Sequence, residues 1–279
     1  MLTLALLAAA APTPSNTVQP RDQVAKVNEL LAQETGNCMR RCTTFEKLHW
    51  WGASIGDAGC VELFRKLVSK QQHVVNLLLG SNFLGPECAD AIAATSKTGL
   101  LRKVSALGLS RNQLGDAGVS LLAQAFHREG LLPVDLYLSK NSISALGLSA
   151  LASRMRHLKP RLTRLHLVDN TIDDDGALLL ARALTAHRGG RGLKLLNLNN
   201  NSLGNSSVAP LAKALAIGGE LSLNGNRIGD AGANELTAAI DEGLVRLHTI
   251  SLRRNSISPQ AQASLRAACT RAAIKINLR

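Results

Sequence analysis

The sequence predicts an α/β solenoid, a curved right-handed horseshoe of about eight strand–helix units with a parallel sheet on its concave side and helices outside. Three observations predict it. A phrase of one shape returns along the chain, as ALGLSRNQLGDAG ending at Gly118, DLYLSKNSISALG ending at Gly147, RLHLVDNTIDDDG ending at Gly176 and SLNGNRIGDAG ending at Gly232. One position of that phrase reads Ala53, Asn82, Asn112, Asn141, Asn170, Asn201, Asn226 and Asn255, at steps of 29, 30, 29, 29, 31, 25 and 29 residues. Behind it, apolar residues recur four apart: Leu63 and Leu67, Leu122 and Phe126, Leu151 and Met155, Leu180 and Leu184, Leu211 and Leu215, Leu236 and Ile240. A fixed period of this length marks stacked supersecondary units, none of which can bury its apolar face alone.

Taken in order, residues 1–20 form an apolar and then Pro-rich leader. Leu2 to Ala11 resembles a short signal-peptide core, but no Lys or Arg precedes it and it is too short to span a bilayer. A disordered leader and a wrong start site are the other readings. Residues 21–44 are expected to be an N-terminal helical cap. Val24, Val27, Leu30 and Leu31 fall at helical spacing, with Asp22 as N-cap and Gly36 as stop. Such a helix shields the open edge of a first repeat. Residues 45–279 are the array.

Within a unit, two leucines flanking one residue point the same way from a strand: Leu77 and Leu79, Leu136 and Leu138, Leu165 and Leu167, Leu196 and Leu198. The Asn belongs where the chain leaves the strand, because its amide both donates to and accepts from backbone groups that the turn leaves unpaired. Asp57, Asp116, Asp174 and Asp230 stand two residues before a Gly at the mouths of helices, where a carboxylate is expected to cap free N–H groups. The step of four then keeps both apolar side chains on the helix face that meets the strand leucines. IKINLR at the end repeats the strand without its turn and reads as a ninth, closing strand after a helix near Gln260 to Arg271. Two units depart from the pattern, the first by carrying Ala53 and the sixth by its step of 25.

These residues resemble the leucine-rich repeat L-x-L-x-x-N-x-L in the long, helix-bearing form of ribonuclease inhibitors, Nod-like receptors and Ran GTPase-activating proteins. The resemblance covers about Phe45 to Arg279. It implies protein–protein recognition on the concave or edge surface with no cofactor. The members differ from this chain in telling ways. Ribonuclease inhibitors are Cys-rich with an acidic face, Nod-like receptors carry a nucleotide-binding domain, and Ran GTPase-activating proteins carry an acidic tail.

Charge points the same way. A formal +12 favours acidic proteins, nucleic acid or anionic surfaces as partners over basic ones. Nucleic acid is the weaker reading, because only 3% of residues are aromatic and no RNA-binding motif is present. Cys38, Cys42, Cys60, Cys88 and Cys269 are odd in number and irregular in spacing, so all five are expected to be reduced. No run beyond the leader is apolar enough for a membrane helix, and a cytoplasmic location is expected, with secretion as the alternative.

Chemistry leaves little trace. None of the seven histidines lies in a metal-binding pattern, and neither a G-x-S-x-G elbow nor a phosphate-binding G-x-x-x-x-G-K-[ST] loop is present. Gly189, Gly190 and Gly192 read as a flexible connection, and the acids Asp173 to Asp175 as caps. The expected protein is a non-enzymatic, cofactor-free monomeric scaffold binding an acidic protein, with a regulatory role of the Ran GTPase-activating kind or binding of nucleic acid as alternatives. The x residues of each strand face the concave side. The candidate contacts among them are His49, Trp51, Arg111, Tyr137, Lys140, His166, Asp169, Asn197, Asn199, Arg253 and Arg254, while Trp50 is expected inside the core.

Overall fold

The computed structural model describes residues 18–36, 44–130, 132–155, 162–186, 192–215 and 217–278. Helix α1 (Pro20–Gly36) precedes an alternation of strand and helix: β1 (Thr44–His49), α2 (Gly56–Ser69), β2 (His73–Leu78), α3 (Pro86–Ala94), β3 (Ala106–Gly108), α4 (Gly115–Glu129), β4 (Asp135–Tyr137), α5 (Ala145–Met155) and β5 (Arg164–His166). It continues through α6 (Asp174–Thr185), β6 (Leu195–Asn197), α7 (Val208–Ala214), β7 (Glu220–Ser222), α8 (Asp230–Asp241), β8 (Thr249–Ser251), α9 (Pro259–Arg271) and β9 (Lys275–Asn277). All described strands join one parallel sheet in sequence order from β1 to β9, and the whole is the expected horseshoe.

One row of side chains explains the register. Leu48, Leu77, Leu107, Leu136, Leu165, Leu196, Leu221, Ile250 and Ile276 are successive partners across the sheet, and all but Ile276 are fully buried. Slipping any strand by one residue would turn its leucine to solvent, so the period of two fixes the pairing. The second leucine of each unit and the apolar helix residues complete a single core.

The asparagines tie units together. Asn170 Nδ2 donates to the carbonyls of Leu138, Leu167 and Val168, and its Oδ1 accepts from the N–H groups of Asn141 and Ile143, both at 3.0 Å. Each Asn therefore serves its own turn and the unit before it. At Ala53 the tie to a preceding unit has no counterpart, since among the described residues no strand pairs with β1 on that side. The short sixth step corresponds to α7, a helix of seven residues.

Two expectations of detail are corrected. The carboxylates at the helix mouths serve the following helix, not their own: Asp57 accepts from Gly85 and Cys88 N–H at 2.7 and 3.1 Å, and Asp116 from Ser144 and Gly147 N–H at 2.8 and 3.0 Å. Asp174 does the same for Gly204 N–H at 2.8 Å, and Asp230 for Ser258 N–H at 2.6 Å. Where the series lapses at Ala145, the next helix supplies its own cap, with Asp173 accepting from Gly176 N–H. The Gly two residues on is required by the same stacking, since a Cβ at Gly176 would stand 2.9 Å from the backbone of Ala145. Asp22 likewise lies in the first turn of α1, not at its N-cap, because the helix begins at Pro20.

The cysteine reading is corrected as well. Cys60 on α2 and Cys88 on α3 form a disulfide, which stacking makes possible by holding their Cα atoms 5.4 Å apart although 28 residues separate them in sequence. Irregular spacing hid a pair that lies at neighbouring places in consecutive units. Cys269 is a buried free thiol, and burial pushes its pKa up to about 11. Cys38 and Cys42 lie outside the described residues, as do Gly189 and Gly190.

Candidate functional site

The strands expose to the concave side the residues that alternate with the core leucines. At the front, β1 to β4 make a depression of about 500 Å³ lined by Lys47, His49, Trp51, Asn76, Leu78, Gly80, Ala106, Gly108, Ser110, Asp135 and Tyr137. Its shape comes from large side chains leaning over small ones on the next strand. A Cβ at Gly80 would run into the Trp51 ring, and one at Gly108 would stand 2.8 Å from the Leu78 side chain. Trp51 remains 53% exposed. Tyr137 stacks on His166 with ring centroids 4.7 Å apart and 17° between planes.

Beside that stack, Arg164 holds the buried Asp135 by a two-pronged pair, its Nε 2.7 Å from Oδ1. The carboxylate raises the pKa of the Arg164 guanidinium through hydrogen bonding and charge. Burial, and then the Arg164 charge, hold His166 below the ordinary histidine range, against the opposing pull of Asp135. The shift favours the neutral imidazole, which suits a ring packed face to face on a phenol. Asp135 is thus neutralised from within the sheet. Among the described residues no carboxylate pairs with Lys47 or Arg111.

Behind β5 the face changes. Asn197 Oδ1 accepts from Asn199 N–H, Asn199 Oδ1 from Asn224 N–H at 2.7 Å, and Asn224 Oδ1 from Arg253 N–H at 2.7 Å. These amides brace the turns. Among the described residues no group of three or more His, Cys, Asp or Glu is placed to hold a metal ion, and no helix is long and apolar enough to cross a membrane.

The Leucine Rich repeat family profile matches residues 101–123, 160–181 and 220–236. The chain is 32% identical over 211 residues to the ribonuclease inhibitor of Sus scrofa, covering 74% of this chain and 44% of that protein. It is 28% identical to the ribonuclease inhibitor of Mus musculus, covering 73% and 43%. This chain is a ribonuclease-inhibitor-like leucine-rich-repeat protein. It is also 26% identical to NACHT, LRR and PYD domains-containing protein 3 of Bos taurus, over 76% of this chain and 20% of that one. The chain spans less than half the length of these curated relatives. An internalin structure from Listeria monocytogenes matches over 92% of both chains at 15% identity, but at a TM-score of 0.29 the superposition carries no argument.

Within this leucine-rich-repeat array the residues singled out from sequence do not form one site. His49, Trp51 and Tyr137 line the front depression, with His166 stacked behind it. Arg111, Lys140, Asp169 and Arg254 stand past the strand ends, in the turn before each Asn, and hold positive φ of 57°, 55°, 54° and 55°. They belong to the sheet's edge, where Lys140 pairs with Asp169 at 3.5 Å and Asn200 donates to Asp169. Asn197 and Asn199 are engaged internally. Arg253 and Arg254 follow β8, seven strands beyond β1, so about 34 Å from Trp51 at ordinary strand spacing. Trp50 is 4% exposed and inside the core, as expected. The sequence reading missed the residue before the first leucine of each unit. Lys47, Asn76, Ala106, Asp135 and Arg164 are register partners on the concave side, and the same period of two that placed the others locates them.

Proposed function

We propose that the protein is a non-catalytic scaffold that docks an acidic protein on the front of its concave face. The observation that carries this reading is the depression between Trp51 and Tyr137, apolar on its walls and floored by Gly80, Ala106 and Gly108. An exposed Trp and a half-buried Tyr at the two ends of one depression, rimmed by polar groups, is the composition of interface hot spots, and a sheet face idle in water would carry polar side chains instead. Lys47 and Arg111 give its surroundings unpaired positive charge, and the chain as a whole carries +12. Stacked repeats suit the task because each holds its neighbours in register, so the surface is preorganised before contact.

The test is capture at low and high salt by wild type and by a Trp51→Ala, Arg111→Ala double variant. A discrete protein held by wild type and lost by the variant is expected. Nucleic acid released by salt from both forms alike would move the function to bulk charge.

Compartment enters through the Cys60–Cys88 disulfide. Cytosolic thiols are kept reduced, whereas secreted proteins keep such bonds, so the bond supports the secreted alternative over the cytoplasmic one. Mass spectrometry of unreduced protein from its native source decides: the linked peptide favours secretion, free thiols at both positions the cytoplasm.

A further inference from the structure

The seven aromatic residues of the chain are distributed unevenly. Phe45, Trp50, Phe64 and Phe126 are buried and Tyr137 is half-buried. The two that remain, Trp51 and Phe83, are 53% and 61% exposed and stand in adjacent units at the same end of the array. The Trp51 ring lies over Gly80, three residues before Phe83 in the turn that leaves β2.

Phe83 is unfavourable where it stands on two counts. Its ring faces water, and its backbone holds φ 58°, a left-handed conformation that bulky side chains rarely adopt. At the matching position, directly after the Asn place, the first and fourth units carry Ser54 and Ser142 with φ 55° each. A small polar residue therefore suffices for the turn. Neither folding nor packing explains the phenyl group, and outliers of this sort concentrate at contact sites.

We infer that the docking surface continues from the depression over the sheet edge onto Phe83, and that it takes up a protein segment pairing an apolar side chain with an acidic one. The apolar member answers to the Trp51–Phe83 corner. The acidic member answers to Lys47 on β1 and Arg111 in the next turn beyond Ser81, neither of which meets a carboxylate among the described residues. Of the nearby acids, Asp57 is engaged by Gly85 and Cys88 N–H and Asp135 by Arg164, while Glu46, exposed next to Lys47 on β1, makes no ion pair with it among the described residues. Exposed Glu87 and Asp90 on α3 mark where this character ends. The inference rests on the docking reading above and extends it by a residue and a partner chemistry.

Random peptides displayed on phage and selected on the wild-type protein supply the probe. Enriched peptides are expected to place Asp or Glu within a few residues of an aromatic or aliphatic side chain. Their synthetic counterparts should bind about 10-fold more weakly to both Phe83→Ser and Trp51→Ala. Phe83→Ser should melt no lower than wild type, since Ser54 and Ser142 already hold its place. Peptides sensitive to Trp51→Ala and indifferent to Phe83→Ser would overturn the edge contact and leave concave docking standing. Peptides indifferent to both variants would overturn both. Enrichment of no apolar–acidic pattern would overturn the partner chemistry.

Discussion

The front and rear halves of the concave face are built on one backbone, in one register, and differ in what their side chains do. From β1 to β4 the face carries Trp51, Leu78 and Tyr137 over small residues, with Lys47 unpaired. From β6 to β8 it carries Asn197, whose amide oxygen accepts the N–H of Asn199 in its own turn, and Asn199 and Asn224, whose amide oxygens accept backbone N–H groups from the next turns. The rear engages its side chains in holding the solenoid together. The front engages Asn76, Asp135 and Tyr137 within the sheet but leaves Trp51, Leu78 and Lys47 without such a tie. A repeat frame can carry both because register and core are set by the buried leucines and asparagines, which leave the concave positions free to vary.

Five experiments test that contrast. The largest effect is expected in the shared frame: Asn170→Ala strands the buried N–H groups of Asn141 and Ile143 and should cost about 3 kcal/mol or more in chemical denaturation. Leu167→Ala should cost about 2–5 kcal/mol, since that side chain is fully buried. A loss below about 1 kcal/mol for either would mean that neighbouring units do not share their stability as described. In the rear, Asn199→Ala should lower stability by about 1 kcal/mol by depriving Asn224 N–H of its acceptor, with no change in partner affinity. In the front, Trp51→Ala should reverse the pattern, weakening affinity about 10-fold while moving stability by less than about 1 kcal/mol.

The smallest effect concerns pH. His166 is held below the ordinary range, so the unfolded chain takes up a proton on this residue first as pH falls. Its contribution to stability is full above about pH 6.5 and is lost as pH drops from there towards the folded value. Melting curves from pH 7.5 to 5 should therefore fall more for wild type than for His166→Asn. Equal slopes would show that burial and the Arg164 charge do not bias the imidazole.

Much of the frame was legible from sequence because it is periodic. Leu48 through Ile276 recur with the same neighbours, so a spacing rule finds the core, the strands and the asparagine ties. Contacts between units were misread wherever a side chain reaches forward one repeat, as Asp116 does to Ser144 and Gly147, since residues 28 and 31 apart leave no local signal. Cys60 and Cys88 were missed for the same reason. The candidate surface was half legible. Alternation placed Trp51 and Tyr137 on the concave side, but which concave residues are free depends on partners such as Arg164 for Asp135, and these only the folded sheet brings together. Phe83 was legible only in part: its place after the Asn position is polar in the other units, which marks a phenyl group as odd there, but its exposure and its φ of 58° appear only in the folded chain.

On the proposed function the front of the concave face, not the rear, receives the partner. The most direct measurement is the affinity of the captured protein for two variants side by side, Trp51→Ala at the front and Arg253→Ala, Arg254→Ala at the rear. Loss of binding by the first with retention by the second is the expected result. Retention by the first with loss by the second would contradict it and place the partner on the arginines beyond β8.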